Sequence, residues 1–197
     1  MSEQGSKPTT EHPLITRCDP VPGFSPGIGR YVAQLGETRR ALVSEIGDLT
    51  PEQLCWHPNE LTESIGTQLL HVAAVEWSWV FQEINRRPDE DYDGWEEALP
   101  IRLGLAQISG QPLSYFTERL DRVRGEVLDA LRELTDEDLP RLVEDASPSP
   151  EDEPGSYLYS IDWILFHLVE HEAHHAGQVE LLARLMPPSM GGVGGNA

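Results

Sequence analysis

The sequence predicts an all-α protein, a four-helix bundle with long inter-helix loops. Four long segments carry apolar residues three or four positions apart, and no stretch sustains the alternation of a β-strand. Proline and small polar residues stand where these segments begin and end. We therefore predict one bundle domain over residues 25–187, between a flexible N-terminal segment, 1–24, and a flexible Gly-rich tail, 188–197. The span of about 165 residues is enough for one substantial core.

The first long helix is predicted over 26–48, with Ser25 as its cap and Pro26 at its first position. Its apolar stripe consists of Ile28, Val32, Leu35, Leu42 and Ile46. A short turn or helix follows at 49–58. The second long helix is predicted over 64–86, capped by Thr62 or Ser64 and followed by Pro88. Its predicted buried face consists of Ile65, Leu69, Val72, Val75, Trp79 and Val80.

The third helix is predicted over 113–134, after an acidic connection that follows Pro88. Its stripe consists of Phe116, Leu120, Val123, Val127, Leu131 and Leu134. An acidic, proline-containing loop at 145–155 leads to the last helix, predicted over 161–186 with Ser160 as its cap. Because both connections are long, we expect a crossover in the bundle.

The composition restricts the partners. Acidic residues outnumber basic ones by 34 to 14, which gives a formal net charge of −20. Such a chain is poorly suited to bind nucleic acid or an anionic membrane, since binding to either requires clustered lysine and arginine. The acidity indicates either a solvated surface that keeps the protein soluble or adaptation to a salt-rich cytoplasm. We find no signal peptide and no transmembrane run, and expect a cytoplasmic protein.

Four of the seven histidines lie close together near the C-terminus, at positions 167, 171, 174 and 175. His171 and His175 are four residues apart, so a helix places them on one side, one turn apart. They also interrupt the apolar stripe formed by Ile164, Leu168, Val179 and Leu182. Buried neutral imidazoles need partners for their ring nitrogens, and a shared metal ion provides one for each. His167 and His174 lie to either side and are candidates for the second coordination shell.

A third ligand has to come from another helix. His71 lies in the middle of the second helix, within an apolar stretch, and is the strongest candidate. A site with three histidines leaves a fourth position open to water or substrate, which is typical of catalytic rather than structural sites. Imidazole ligands suit zinc, nickel, copper and iron alike, so the metal itself is not specified; we expect zinc or nickel.

Two segments resemble the DinB/YfiT-like metalloenzyme superfamily of four-helix bundles. Trp56-His57-Pro58, Ser64-Ile65-Gly66 and Leu70-His71 are similar to that family's sequence before and on its second helix. The stretch from His171 to Gln178 resembles the family element His-x-x-x-His-Arg-Gly-Gln. The resemblance covers about residues 26 to 187 and implies His71, His171 and His175 as the ligands. Ala176 replaces the usual arginine, whereas Gln178 is retained and is a second-shell candidate.

The resemblance implies metal binding more directly than a reaction. Some members of the family are S-transferases or isomerases that use bacillithiol or mycothiol, so one expectation is a metal-dependent transfer of such a thiol to an electrophile. Cys18 and Cys55, the two cysteines, lie outside the predicted long helices, which is compatible with a borrowed thiol. Two alternatives stay open: a hydrolase that uses metal-bound water, and a non-catalytic metal-binding stress protein.

A literal protease pattern is also present in the last helix. His171-Glu172-Ala173-His174-His175 fits the zincin signature His-Glu-x-x-His, with Glu172 as the general base. We disfavour it, because the short chain after His175 offers no suitable third ligand, and we expect Glu172 on the solvated side of the helix.

Trp77 and Trp79 project in nearly opposite directions from the second helix, so one of them needs a cover outside the core. The segment 89–100, which carries Trp95, is one possible cover. A two-fold contact in a homodimer is the other, and family habit favours it.

Overall fold

The computed structural model of the chain describes residues 17–88, 107–146 and 157–191. The all-α fold is confirmed: four long helices dominate, with one short helix and a small β-ribbon between them. The helices are α1 Pro26–Ile46, the short α2 Pro51–Leu54, α3 Ile65–Trp77, α4 Leu113–Arg132 and α5 Ile161–Leu185. The connections at 89–106 and 147–156, which include the predicted loops, lie outside the described residues.

The start of α1 differs from the expectation in its capping. Ser25 occupies the N-cap position, but its side chain makes no bond to the helix backbone. Its hydroxyl instead donates to Asp136 Oδ1 at 2.6 Å, and Asp136 accepts from the amide of Gly27 at 2.8 Å and that of Ile28 at 3.2 Å. Ser25 therefore holds the predicted N-cap position, but a carboxylate beyond α4, rather than the Ser25 hydroxyl, accepts from the free amides of α1.

Ser64, rather than Thr62, caps α3 and accepts from the amide of Thr67 at 3.3 Å. The next residues pack very closely on α4: a Cβ added to Gly66 would lie 2.8 Å from Phe116 Cζ. Only glycine permits this approach. After Trp77 the helix widens into π-helical turns over Ser78–Ile84, where the sequence predicts a continuous α-helix to residue 86.

The burial of α3 is broader than predicted, since almost its whole circumference is enclosed. Trp77 is fully buried in the core, while Val75 and Trp79 from the predicted face are only partly buried. Helix α3 packs against both α4 and α5, and α1 packs along α5. A helix with neighbours on several sides does not keep a single apolar stripe.

A short antiparallel ribbon was not predicted. Strand β1, Leu142–Glu144, pairs with β2, Leu158–Ser160, in the register Val143 opposite Tyr159. Strand β2 leads directly into α5, whose first turn Ser160 caps by accepting from the amide of Trp163 at 3.1 Å, as expected. Within the described residues no helix is both long and apolar enough to cross a membrane.

Candidate metal centre

The structure brings three histidines together between α3 and α5. His71 comes from the middle of α3, and His171 and His175 come from successive turns of α5. One ligand nitrogen from each lies within 4.8 Å of the other two. The ring centroids of His171 and His175 are 4.5 Å apart, and that of His71 lies 5.1 Å from the first and 5.0 Å from the second. The three rings therefore surround one small volume.

The spacing of two of these nitrogens matches what a metal ion requires. His171 Nε2 lies 3.3 Å from His71 Nε2. Two imidazole nitrogens bound tetrahedrally to zinc at about 2.0–2.1 Å from the ion stand about 3.3–3.4 Å from each other. The donor set consists of imidazoles only, which suits zinc and other late transition metals rather than magnesium or calcium.

Burial keeps two of these rings neutral. Burial is the main cause that lowers the pKa of His171 to about 2. Repulsion between a charged His171 and charged His175 and His71 contributes to the same shift. Burial likewise lowers the pKa of His175 to about 4, again with a contribution from His71. A metal ligand must be deprotonated, and at neutral pH these rings already have the required lone pairs. Metal binding would therefore displace few protons.

A glutamine that the sequence analysis missed orients His175. Gln68 Oε1 lies 3.4 Å from His175 Nδ1, and only 4% of Gln68 is exposed. An acceptor at Nδ1 holds the proton there and turns Nε2 toward the ligand, as second-shell partners of metal-bound histidines commonly do. The sequence carried a signal: Gln68 lies three residues before His71, in an otherwise apolar part of α3.

The three predicted second-shell residues lie around the cluster in different settings. Gln178 Nε2 lies 2.8 Å from Nε2 of the exposed His174, so this pair lies at the protein surface. His167 stacks on Trp163, with ring centroids 5.0 Å apart, and lies 5.8 Å from His171.

Trp79 packs edge-on against His167, Trp163 and Tyr159. Aromatic side chains of the same chain therefore contact Trp79; the proposed cover at 89–100 lies outside the described residues.

Next to the histidines lies a buried network of four charged residues, one from each long helix. They are Arg39 of α1, Glu76 of α3, Arg124 of α4 and Glu172 of α5, and we call them the ion-pair ring. Each guanidinium binds both carboxylates. Arg39 is 2.9 Å from Glu76 and also binds Glu172, and Arg124 is 2.6 Å from Glu172 and also binds Glu76.

The ring also makes hydrogen bonds to neighbouring backbone and side-chain groups. Arg39 donates to the carbonyl of Leu120 at 3.0 Å and Arg124 to that of Leu35 at 2.9 Å. Thr38 Oγ1 lies 3.3 Å from Glu172 Oε2. Burial opposes the charge on Arg124, yet the attraction of Glu76 and Glu172 raises its pKa. Two positive and two negative groups thus neutralise one another in the centre of the bundle.

The position of Glu172 corrects one prediction. We expected Glu172 on the solvated side of its helix, but it is 2% exposed and bound by Arg39, Arg124 and Thr38. The reason is that α1 packs along that side of α5 and supplies two of these partners. With its oxygens turned into the ring, Glu172 is engaged in structure, which argues further against the zincin pattern.

Comparison with known proteins agrees with this architecture. A family model described as the DinB superfamily matches residues 34–179, which include all three histidines. The chain belongs to the DinB superfamily. It is also 30% identical over 136 residues to the uncharacterized protein YizA of Bacillus subtilis (strain 168), an alignment that spans 69% of this chain and 73% of YizA.

In this DinB chain the arginine expected after the last histidine is absent. Ala176 occupies that position and is buried against the core. The buried guanidiniums of the described residues, Arg39 and Arg124, come from α1 and α4 instead. Arg39 was missed in the sequence analysis, although it falls between Leu35 and Leu42 on the apolar stripe of α1, where a charge demands a buried partner.

Proposed function

We propose that this DinB protein binds one divalent metal ion, zinc or nickel, through His71, His171 and His175 and transfers a low-molecular-weight thiol to an electrophile. Bacillithiol and mycothiol are the thiols that the family resemblance suggests. The observation that carries the proposal is the convergence of three imidazoles from two helices, with two nitrogens 3.3 Å apart. The metal would bind the sulfur of the thiol and favour its thiolate form at neutral pH.

The residues of the chain prepare such a site before any ligand arrives. Burial keeps His171 and His175 neutral, and Gln68 fixes the ring of His175. The protein supplies no thiol to the cluster, since its described ligand set consists of histidines only. An external thiol fits this arrangement. After its proton has passed to water, its sulfur forms a bond to an electrophilic carbon, and the leaving group departs with the electrons of the bond that breaks.

The alternatives differ in what they ask of neighbouring side chains. A hydrolase of the zincin type would need Glu172 as a base, and the ion-pair ring engages that carboxylate. A hydrolase without that base, or a non-catalytic metal-binding stress protein, would use the same three histidines. These readings are separated by measuring metal content first and thiol consumption second.

The first experiment is elemental analysis of the purified protein. We expect about one equivalent of metal in the wild type and in His174→Ala, and a large loss in His71→Ala, His171→Ala and His175→Ala. His174 is a matched control, because it lies next to His175 on the same helix but is exposed. Full metal occupancy in the His71→Ala variant would remove His71 from the site.

The second experiment measures free thiol lost from bacillithiol or mycothiol in the presence of 1-chloro-2,4-dinitrobenzene. We expect the rate above background to depend on the metal and to vanish in His171→Ala. Metal occupancy without any thiol transfer would leave the stress protein or the hydrolase. A homodimer stays a prediction as well, and light scattering tests it: a particle of the chain mass of 22.0 kDa would contradict it.

A further inference from the structure

Near the histidines, the surface carries a largely apolar groove of about 470 Å³, and none of the three predicted metal ligands lines it. It lies between the second half of α5 and the segment that leads into α3. Its walls include Leu61, Leu181 and Leu185, which are 88%, 57% and 54% exposed. Leucines so exposed around one concave surface are unfavourable in water and typical of a binding site. The volume falls within the range of about 300–1,000 Å³ that small-molecule sites occupy.

The groove shares two residues with the environment of the metal centre. Gln68, whose Oε1 lies 3.4 Å from His175 Nδ1, forms part of its wall. Gln178, which lies 2.8 Å from His174 Nε2, forms another part. These two amides therefore join the wall of the groove to the histidine-bearing part of α5. Four leucines make up much of the rest of the wall, together with Pro58, Thr62 and Glu63.

Charge narrows the class of ligand. Glu63 lines the groove, and no basic residue lies among the described residues of its wall. The chain as a whole carries a formal charge of −20. The net negative charge of the protein disfavours an anionic ligand. An uncharged ligand with an alkyl or aryl body gains from burial against leucine instead.

We propose that this groove binds the apolar body of the electrophile, as an uncharged alkyl or aryl compound, with its reactive carbon toward Gln68 and the histidines. The inference rests on the proposed function for the reaction that it serves. The binding itself is independent of turnover, because it uses leucine and glutamine side chains that are not metal ligands.

The test uses the full-length protein loaded with zinc and 4-nitrobenzyl alcohol, an uncharged and unreactive analogue of an aryl electrophile. Amide chemical shifts give the dissociation constant and the site. We expect shifts at Gln68, Gln178 and Leu181, and binding weakened by at least about tenfold in Leu181→Glu. Leu142→Glu is the matched control: Leu142 is 58% exposed, lies on β1 away from this groove, and receives the same charge. It should bind the probe as the wild type does.

Three results would overturn the groove: equal affinity in Leu181→Glu and wild type, shifts gathered around Leu142 and Leu158, or a Leu181→Glu variant that changes only self-association. If Leu181→Glu fails to fold, Leu185→Glu replaces it. Cobalt in place of zinc adds a second readout, since a probe in the groove should be broadened by the paramagnetic ion.

The two proposals fail in different ways. Probe binding that depends on Leu181, without any thiol transfer, would refute the reaction but keep the groove. Thiol transfer with probe binding that ignores Leu181 would refute the groove alone.

Discussion

The ion-pair ring and the histidine cluster are neighbours on α5, yet they are built on opposite principles. His171 belongs to the cluster and the next residue, Glu172, belongs to the ring. The ring takes one residue from each of the four long helices, and two guanidiniums meet two carboxylates. The cluster takes three groups of one kind from two helices, and burial lowers the pKa of two of them.

This difference separates a structural polar site from a ligand site. In the ring, the charges and most of the hydrogen-bonding capacity are satisfied within the protein, so the site does not require a ligand. The cluster instead gathers three neutral imidazoles. His171 and His71 are close enough to share one N–H···N hydrogen bond, but a cation would satisfy a lone pair of all three. Of these two sites, the histidine cluster is therefore the one suited to bind a ligand.

The largest expected effect comes from breaking the ring. Arg124→Ala leaves Glu76 and Glu172 buried with one guanidinium instead of two, and removing one member of a buried pair costs about 3–5 kcal/mol. Denaturant unfolding of the wild type and of the Arg124→Ala variant measures the loss of unfolding free energy. The same loss should appear in 1 M salt, because buried charges are screened little.

Arg122→Ala is the control on the same helix. Arg122 pairs with Glu126 at 3.3 Å at the surface, so its removal should cost about 0–1 kcal/mol and less at high salt. Equal losses in the two variants would show that the ring contributes no more to stability than a surface pair does.

A smaller effect is expected from the cluster, and only when metal is present. Excess zinc should raise the unfolding free energy of the wild type, by about 2.7 kcal/mol where free metal is 100 times its dissociation constant. His175→Ala should lose that gain, whereas His174→Ala should keep it. Thermal melts with zinc or a chelator measure both. A wild type whose stability responds to neither zinc nor nickel would mean that the cluster is not a site for the proposed metals.

The smallest effect concerns an exposed carboxylate that performs a structural task. Hydrogen bonds from Ser25, and then from Gly27, hold the pKa of Asp136 below its usual 3.8. Its contribution is therefore complete above that value and is lost as the pH falls through the lower, folded-state pKa. Asp136→Asn should lower the melting temperature at pH 7 and reduce the loss of stability in acid.

Asp129→Asn is the comparison for this variant. Asp129 is exposed on α4 and pairs locally with Arg132, so the change should leave the acid dependence as it is. Identical acid profiles for the Asp136→Asn variant and the wild type would exclude Asp136 as the cap of α1.

The sequence by itself determined the four helices, because apolar spacing and capping are properties of neighbouring residues along the chain. The predicted third helix, 113–134, became Leu113–Arg132, and the stripe from Phe116 to Leu131 is buried. The four-residue spacing of His171 and His175 likewise places them on one side of α5. Gly66 is part of the motif that resembles the DinB superfamily. The reason why a glycine is needed there, the close approach of Phe116, is visible only in the packed bundle.

Only the tertiary structure decided which charges are buried. The helical period tells from which side of α5 Glu172 projects. It does not tell whether water or α1 covers that side. Here α1 brings Arg39 and Thr38, and α4 brings Arg124, from residues far away in the sequence. The same holds for Asp136 at the start of α1 and Gln68 beside His175. Each of these contacts joins separate elements, and its energy depends on the dielectric surroundings that their packing creates.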